Sequence, residues 1–256
     1  MKHRPIYLAI FALAGLFLIG CNQQIGAGGS SGVQASLGTY NYGGTKPGIA
    51  FLIVGNVPMT GPEGVEVTVT GPSAWNNGNP IKTRLHHSLN GPLWVFWIYT
   101  IDLVNGDYTL ESQLPGGIHL KKTASLKASN VLAQVSPSLN ATRTKAVVSW
   151  NSVPEAKAYQ VELRHKTNSG SEHVAWWRTN GTSITFNQLN LTPGETYYAS
   201  VLALNIDTTN YIITTPPATF KVSWASTANF TVTSAGTLRI LPSSQTAPPE
   251  GGFTGE

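Results

Sequence analysis

The chain has 256 residues and 11% charged residues, with 16 lysines and arginines against 12 acids and a formal net charge of +4. The basic residues are scattered singly, which excludes the dense cationic patch of a nucleic-acid binder. Strand-formers and turn-formers dominate and no long helical period follows the leader, so we expect an all-β chain, long enough for two small domains.

The first 20 residues read as a leader. Lys2, His3 and Arg4 are a basic start, and Ile6 to Ile19 is an apolar run broken only by small residues. A membrane-spanning helix needs about 20 apolar residues, so this run suits a signal peptide better than a span. It ends in Leu18-Ile19-Gly20-Cys21, and Cys21 is the chain's only cysteine. A small residue before a lone cysteine at this place resembles the lipobox of bacterial lipoprotein precursors. The resemblance implies cleavage before Cys21, acylation of its thiol with diacylglycerol carrying palmitate-type chains, and membrane lipid as a partner. It places the chain in the bacterial cell envelope, outside the cytoplasm. Asn22, where an aspartate would signal inner-membrane retention, implies the outer membrane where two membranes exist. Removing residues 1–20 takes away Lys2 and Arg4 and no acid, leaving 14 basic and 12 acidic residues, a net +2.

Residues 21–36 then carry the lipid and a flexible tether, since Gln23 to Ser36 is rich in Gly, Ser and Gln. The first domain is expected over 37–130. Ile49 to Val54 is a continuous apolar run, and Val65, Val67 and Val69 alternate with polar residues. Asn76 to Pro80 is a loop by composition, and Ile81 to His87 a short strand. Leu93 to Leu103 is the most apolar strand, Asn105-Gly106 a hairpin turn, and Asp107 to Leu114 its partner. Pro115-Gly116-Gly117 turns again into Ile118 to Leu126. Strands at this spacing suggest an antiparallel sandwich. The fragment from Leu103 to Leu110 is similar to the hairpin of small Ig-like modules.

The second domain is expected over 131–235. Val148-Ser149-Trp150 precedes Val153-Pro154-Glu155-Ala156, then Tyr159 to Leu163 and Leu191-Thr192-Pro193-Gly194-Glu195-Thr196-Tyr197 follow. This order resembles a fibronectin type III module. The resemblance implies that Trp150 and Tyr159 pack in the core and that the Tyr197 hydroxyl bonds back to nearby backbone. Tyr197, Ala199, Val201 and Ala203 share one face by period two. The pattern departs from that family after Asn205. There, Asn229 to Thr233 is the last strand and Phe220 to Trp224 an extra one, or the two exchange roles. Thr237 to Leu241 adds a short strand, and the rest of 236–256 reads as a disordered extension. The fold class is thus two tandem Ig-like and fibronectin type III-like antiparallel β-sandwiches after a cleaved lipoprotein signal peptide.

No motif in the chain carries a reaction: there is no G-x-S-x-G elbow, HExxH, P-loop or GxGxxG. His86 and His87 are adjacent and face opposite sides of a strand. His165 and His173, with Glu172 nearby, offer two ligands where a zinc site needs about four. We therefore expect no enzyme, no cofactor and no metal, with an enzyme whose carboxylates meet only in space as the third and least favoured reading. What remains is aromatic surface. Trp97 and Tyr99 share one face of their strand and Trp94 and Phe96 the other, and Trp176 and Trp177 cannot both point inward. Leu202 and Leu204 face away from the second core. Such residues either pack within the chain, between the two sandwiches or under the 206–227 excursion, or they stand exposed. Burial within the chain avoids a long exposed apolar strip. Exposure would make Trp97, Tyr99, Trp176 and Trp177 a binding surface for envelope glycan or another envelope protein.

Overall fold

The computed structural model describes residues 32–43, 46–55, 65–85, 93–99, 101–168, 170–209, 216–241 and 251–255, with Leu85, 93–99 and 251–255 as backbone alone. The leader, Cys21 and the His86-His87 pair lie outside these residues. Among the described residues the regular structure is strand, with one 3-10 turn at Trp75–Gly78. The first half holds β1 (Gln34–Asn41), β2 (Gly48–Gly55), β3 (Val65–Thr70), β4 (Ile81–Leu85), β5 (Leu93–Tyr99), β6 (Gly106–Leu114) and β7 (Ile118–Leu126). Then come β8 (Pro137–Ala141), β9 (Lys145–Trp150), β10 (Ala158–Thr167), β11 (Gly170–Thr179), β12 (Ser183–Asn187) and β13 (Thr196–Leu204). The chain closes with β14 (Thr219–Ser226), β15 (Phe230–Val232), β16 (Leu238–Ile240) and β17 (Gly251–Gly255).

Two sandwich cores share one wall. That wall is a sheet in the order β11-β10-β13-β14-β1-β2-β5-β17, with β15 and β16 added beside β13. The sheets β4-β3-β6-β7 and β12-β9-β8 pack against it. The first core gathers Leu37, Ile49, Phe51 and Ile53 from the wall with Val67, Val69, Trp75, Tyr108 and Leu110 opposite. The second gathers Tyr159, Val161, Leu163, Ala199, Val201 and Ala203 from the wall with Val148, Trp150 and Phe186 opposite. In both, the alternation of apolar and polar residues selects the inward side. In β3, Val65, Val67 and Val69 are buried while Glu66 and Thr70 are exposed. Trp75 meets Tyr108 edge-on, with ring centroids 5.1 Å apart, and Trp150 lies 5.3 Å from Tyr159, as the fibronectin-like motif implied.

The joint between the two sandwiches is a parallel pairing of β1 with β14, from Leu37↔Thr219 to Asn41↔Ser223. On its other side β1 pairs antiparallel with β2. Residues opposite one another in a ladder share a side of the sheet, so the register carries a face across the joint. Leu202 stands opposite Trp224, Leu204 and Tyr40 opposite Val222, and Gly38 opposite both Phe220 and Ala50. These residues form a third apolar cluster of Tyr40, Ala50, Leu52, Val54, Leu202, Leu204, Phe220, Val222 and Trp224, on the side of the wall away from both cores. The outward leucines of the second sandwich are thus packed within the chain, beside apolar residues of the first.

Several local expectations change. Gln23 to Ser36 was expected to be a tether, yet β1 starts at Gln34, and Val33 and Ala35 are buried in the first core. Two small apolar residues in a Gly/Ser-rich stretch carry too little signal to show a strand whose burial comes from distant neighbours. The extension after 236 was expected to be disordered beyond Leu241, yet β17 pairs with β5, from Gly251↔Ile98 to Gly255↔Trp94. A backbone ladder uses N–H and C=O groups that glycine also carries, so a Gly-rich segment can close an edge without an apolar pattern. The two candidates for the last strand prove to be consecutive pieces of one. β14 pairs with residues 200–204 of β13 and β15 with 196–197. Thr227 bridges the gap: its N–H donates to the Ala199 carbonyl at 2.8 Å and its Oγ1 accepts from the Ala199 N–H at 3.0 Å.

The connection from β7 to β8 is tied down by side chains. Thr39 Oγ1 donates to the Asn130 carbonyl at 2.7 Å and Asn41 Nδ2 to the Leu132 carbonyl at 2.8 Å. Gln134 Nε2 donates to the Trp224 carbonyl at 2.6 Å, and Ser223 Oγ accepts from the Val135 N–H at 3.0 Å. Both strands of the parallel joint hold the linker, which leaves it no freedom as a hinge.

Candidate binding surface

The wall ends at β11, and this strand concentrates the exposed apolar surface. Among the described residues the exposed large apolar side chains are Val174, Trp176, Trp177 and Ile240, and three of these four lie on β11. Trp177 is 54% and Trp176 37% exposed. The antiparallel register sets Trp177 opposite Val161 and Trp176 opposite Glu162, so the two rings leave opposite sides of the sheet. That is the outcome period two requires for adjacent residues. Val161 is buried in the second core, but Trp177 sits one strand further out, past the cover of the smaller sheet.

A register shift between Leu163 and Arg164 divides β11 in two. Leu163 pairs with Ala175 and Arg164 with His173, which leaves Val174 as the extra residue of a bulge. A bulge bends its strand and interrupts the regular ladder. Beyond it, Ala175–Thr179 runs regularly until the turn at Asn180-Gly181.

Beside Trp176 lies a polar network on the outer side of the wall. Glu162 is buried; its Oε1 accepts from Gln160 Nε2 and its Oε2 from Arg164 Nη1, both at 2.8 Å. Arg164 also donates through Nε to Ser171 Oγ at 2.9 Å. Its Nη1 lies 2.9 Å from His173 Nε2. Arginine can only donate, so His173 Nε2 accepts there, and its Nδ1 lies 3.8 Å from Glu162 Oε2. Arg178 Nε donates to Gln160 Oε1 at 3.1 Å, and its guanidinium carbon stands 5.3 Å from the Trp176 ring centre. That geometry is a cation–π contact. The network fixes the outer side of β11 through charge-assisted bonds and holds Trp176 in place.

The other sequence-derived candidates fall as follows. The side chains of Trp97 and Tyr99 lie outside the described residues; their backbone pairs with Phe51 and Ile49 of β2. His165 and His173 do not meet. His165 Nε2 lies 3.0 Å from Glu195 Oε2 with its ring 5.0 Å from Tyr197, while His173 belongs to the Arg164 network. Among the described residues no group of three or more His, Cys, Asp or Glu is placed to hold a metal. The polar network itself escaped the sequence reading. Gln160, Glu162 and Arg164 do alternate with Tyr159, Val161 and Leu163, which marks an outward polar side. Which of these residues bond to one another depends on how β10 and β11 pair across the bulge, which the alternation alone does not show.

No family profile matches the sequence, and no curated protein matches it. Among solved structures, the chain is similar to a two-domain fibronectin type III segment of chicken tenascin at 16% identity and a TM-score of 0.25, covering 75% of this chain and 97% of that one. It is also similar to a segment of titin at 12% identity and a TM-score of 0.28, covering 78% and 66%. A third likeness is the chicken interferon gamma receptor alpha chain, at 8% identity and a TM-score of 0.26, covering 82% and 97%. The strand order and the two cores establish the fold class on their own: all-β, two sandwiches of Ig-like and fibronectin type III-like build on one continuous wall.

Proposed function

We propose that this chain is an envelope lipoprotein, held by acylated Cys21, whose sandwiches act as a noncatalytic binding or scaffolding module through the aromatic edge of β11. The observation that supports the surface is the gathering of Val174, Trp176 and Trp177 on one edge strand. Rings exposed by a rigid strand offer contact area at little cost in ordering. The anchor is supported by the basic and apolar leader ending in the lone Cys21. Each acyl methylene buried in a bilayer contributes about 0.8 kcal/mol, so a multiply acylated terminus stays on the membrane. Labelling with a fatty-acid analogue tests the anchor. Cys21→Ala is expected to lose the label and accumulate precursor; equal label on both proteins would sink it.

A second reading is carbohydrate binding, favoured by the exposed rings of Trp176 and Trp177, against which a sugar ring could stack. Retention on isolated envelope glycan tests it. Loss of retention in Trp176→Ala and Trp177→Ala supports this reading, and no retention of the wild type rejects it.

A further inference from the structure

We propose that the chain stands on its membrane with the first sandwich as a stem and the second as a head. The end of the wall where β1 begins faces the bilayer that holds the acylated Cys21, and the hairpin of β10 and β11 points away from it. The proposal rests on the lipoprotein reading of Cys21 and gives that anchor a direction.

The near end follows from chain length. Val33 is buried in the first core, and eleven residues separate it from Cys21. At about 3.3–3.6 Å per residue such a stretch spans at most about 40 Å. The start of β1 is therefore the point by which the lipid holds the fold.

The far end follows from register. From Gln34, β1 runs six residues to Tyr40, about 20 Å along the strand. Tyr40 lies level with Val222, Val222 with Leu204, and Leu204 with Ala158. β13 ends and β10 begins at that row, and β11 ends one residue beyond it, at Thr179 opposite Tyr159. From Ala158, β10 climbs to Thr167, opposite Gly170, about 30 Å further along. The twist of the sheet turns β10 aside from β1. Three steps of about 20–25° stay short of a right angle, so the climb still leads away from Gln34.

The surface chemistry agrees. Among the described residues the exposed large apolar side chains, Val174, Trp176, Trp177 and Ile240, all belong to the second sandwich. Trp177 stands opposite Val161, and Ile240 in the row of Phe230, Tyr197 and His165, both beyond the Tyr40 row. Tryptophans close to a bilayer settle into its interface. Carried on the head, they are kept for a partner beyond the membrane surface.

Energy transfer in vesicles tests this. Acylation uses the chain's only cysteine, so an added cysteine is the sole free thiol for a dye. Gly32→Cys sets the dye at the near end, where an added Cβ meets nothing within 4 Å. Asn168→Cys sets it at the exposed tip of the hairpin. The acylated full chain is placed in phosphatidylethanolamine–phosphatidylglycerol vesicles with an acceptor dye on the headgroups. Transfer is expected to be strong from position 32 and several-fold weaker from position 168. Should Asn168→Cys not fold, Lys166→Cys on the same hairpin carries the dye. Equal transfer from the two ends overturns the orientation, and more from the tip overturns it in favour of a head lying on the lipid. A chain that does not float with the vesicles overturns anchor and orientation together. One that floats without the expected order of transfer overturns the orientation alone.

Discussion

Three buried tyrosines show how single residues close the loops of these sandwiches. Tyr108 donates to the Val104 carbonyl at 2.8 Å and accepts from the Val104 N–H at 3.0 Å. The Tyr159 hydroxyl accepts from the Val153 N–H at 3.0 Å, and the Tyr197 hydroxyl from the Thr192 N–H at 2.9 Å. Each satisfies loop backbone that burial would otherwise leave unpaired. Tyr197→Phe is expected to cost about 1 kcal/mol in a denaturant melt, and Tyr108→Phe more, about 1–3 kcal/mol, because both groups of Val104 lose their partner. Burial also raises the pKa of Tyr108, against a smaller lowering by the Val104 hydrogen bond. The neutral phenol is favoured in the fold, so its contribution is complete below the ordinary tyrosine value of about 10 and is lost as pH rises through the raised value. Alkaline melts check this: Tyr108→Phe should show a weaker loss of stability above that range than wild type. Glu66 and Glu111 lie at the other end of the scale, their pKa values lowered by hydrogen bonds from Lys82 and Lys121. Their contribution is present above the ordinary carboxylate range and lost as pH falls through the lowered values. Both side chains reach solvent, so added salt should remove most of it.

Among the elements, the pairing of β1 with β14 decides the architecture, and Gly38 makes it possible. A Cβ at Gly38 would stand 2.4 Å from the Phe220 carbonyl oxygen and 2.9 Å from the Phe220 ring. Gly38→Val is expected to push the two strands apart and to cost about 1–3 kcal/mol or more, as overpacking does. Amide exchange in β1 and β14 reads this directly; unchanged protection would count against the parallel joint. This joint was also the least legible part of the chain. The motif around Trp150, Tyr159 and Tyr197 could be read because its spacing encodes local packing and a loop closure five residues long. The core alternation of β3 and β6 could be read for the same reason. Parallel pairing leaves no such mark: its partners lie far apart in the chain, and Gly38 in a Gly/Ser-rich neighbourhood looks like linker. The site was half legible. Period two showed that Trp176 and Trp177 must part, but the bulge at Val174 and the burial of Glu162 depend on how β10 and β11 meet.

The whole molecule unites two cores that a sequence reading treats as separate domains. They share a wall, their linker is bonded to both strands of the joint, and the third cluster draws on both halves. We expect one calorimetric transition rather than two. Trp150→Ala, a large-to-small change in the second core worth about 3–5 kcal/mol, should lower that single transition. Exchange of first-core amides in β3 and β6 should rise with it. A thermogram that splits in two, with the first core unmoved, would show that the wall does not couple them.

The same joint sets an order of events in time. Leu37 and Thr219 face each other across it, 182 positions apart in the chain. Contacts of such separation close late, because the loop entropy is lost before the ladder returns anything. A chain emerging from its N-terminus therefore completes β1 and β2 long before β14 exists. During that interval one side of β1 is an open edge, and Tyr40, Leu52 and Val54 have no Leu202, Leu204 or Trp224 beside them. A fragment ending near residue 130 would freeze this half-made state and should associate through it. The newborn N-terminal half thus depends on the arrival of the C-terminal half, or on a holding partner until then.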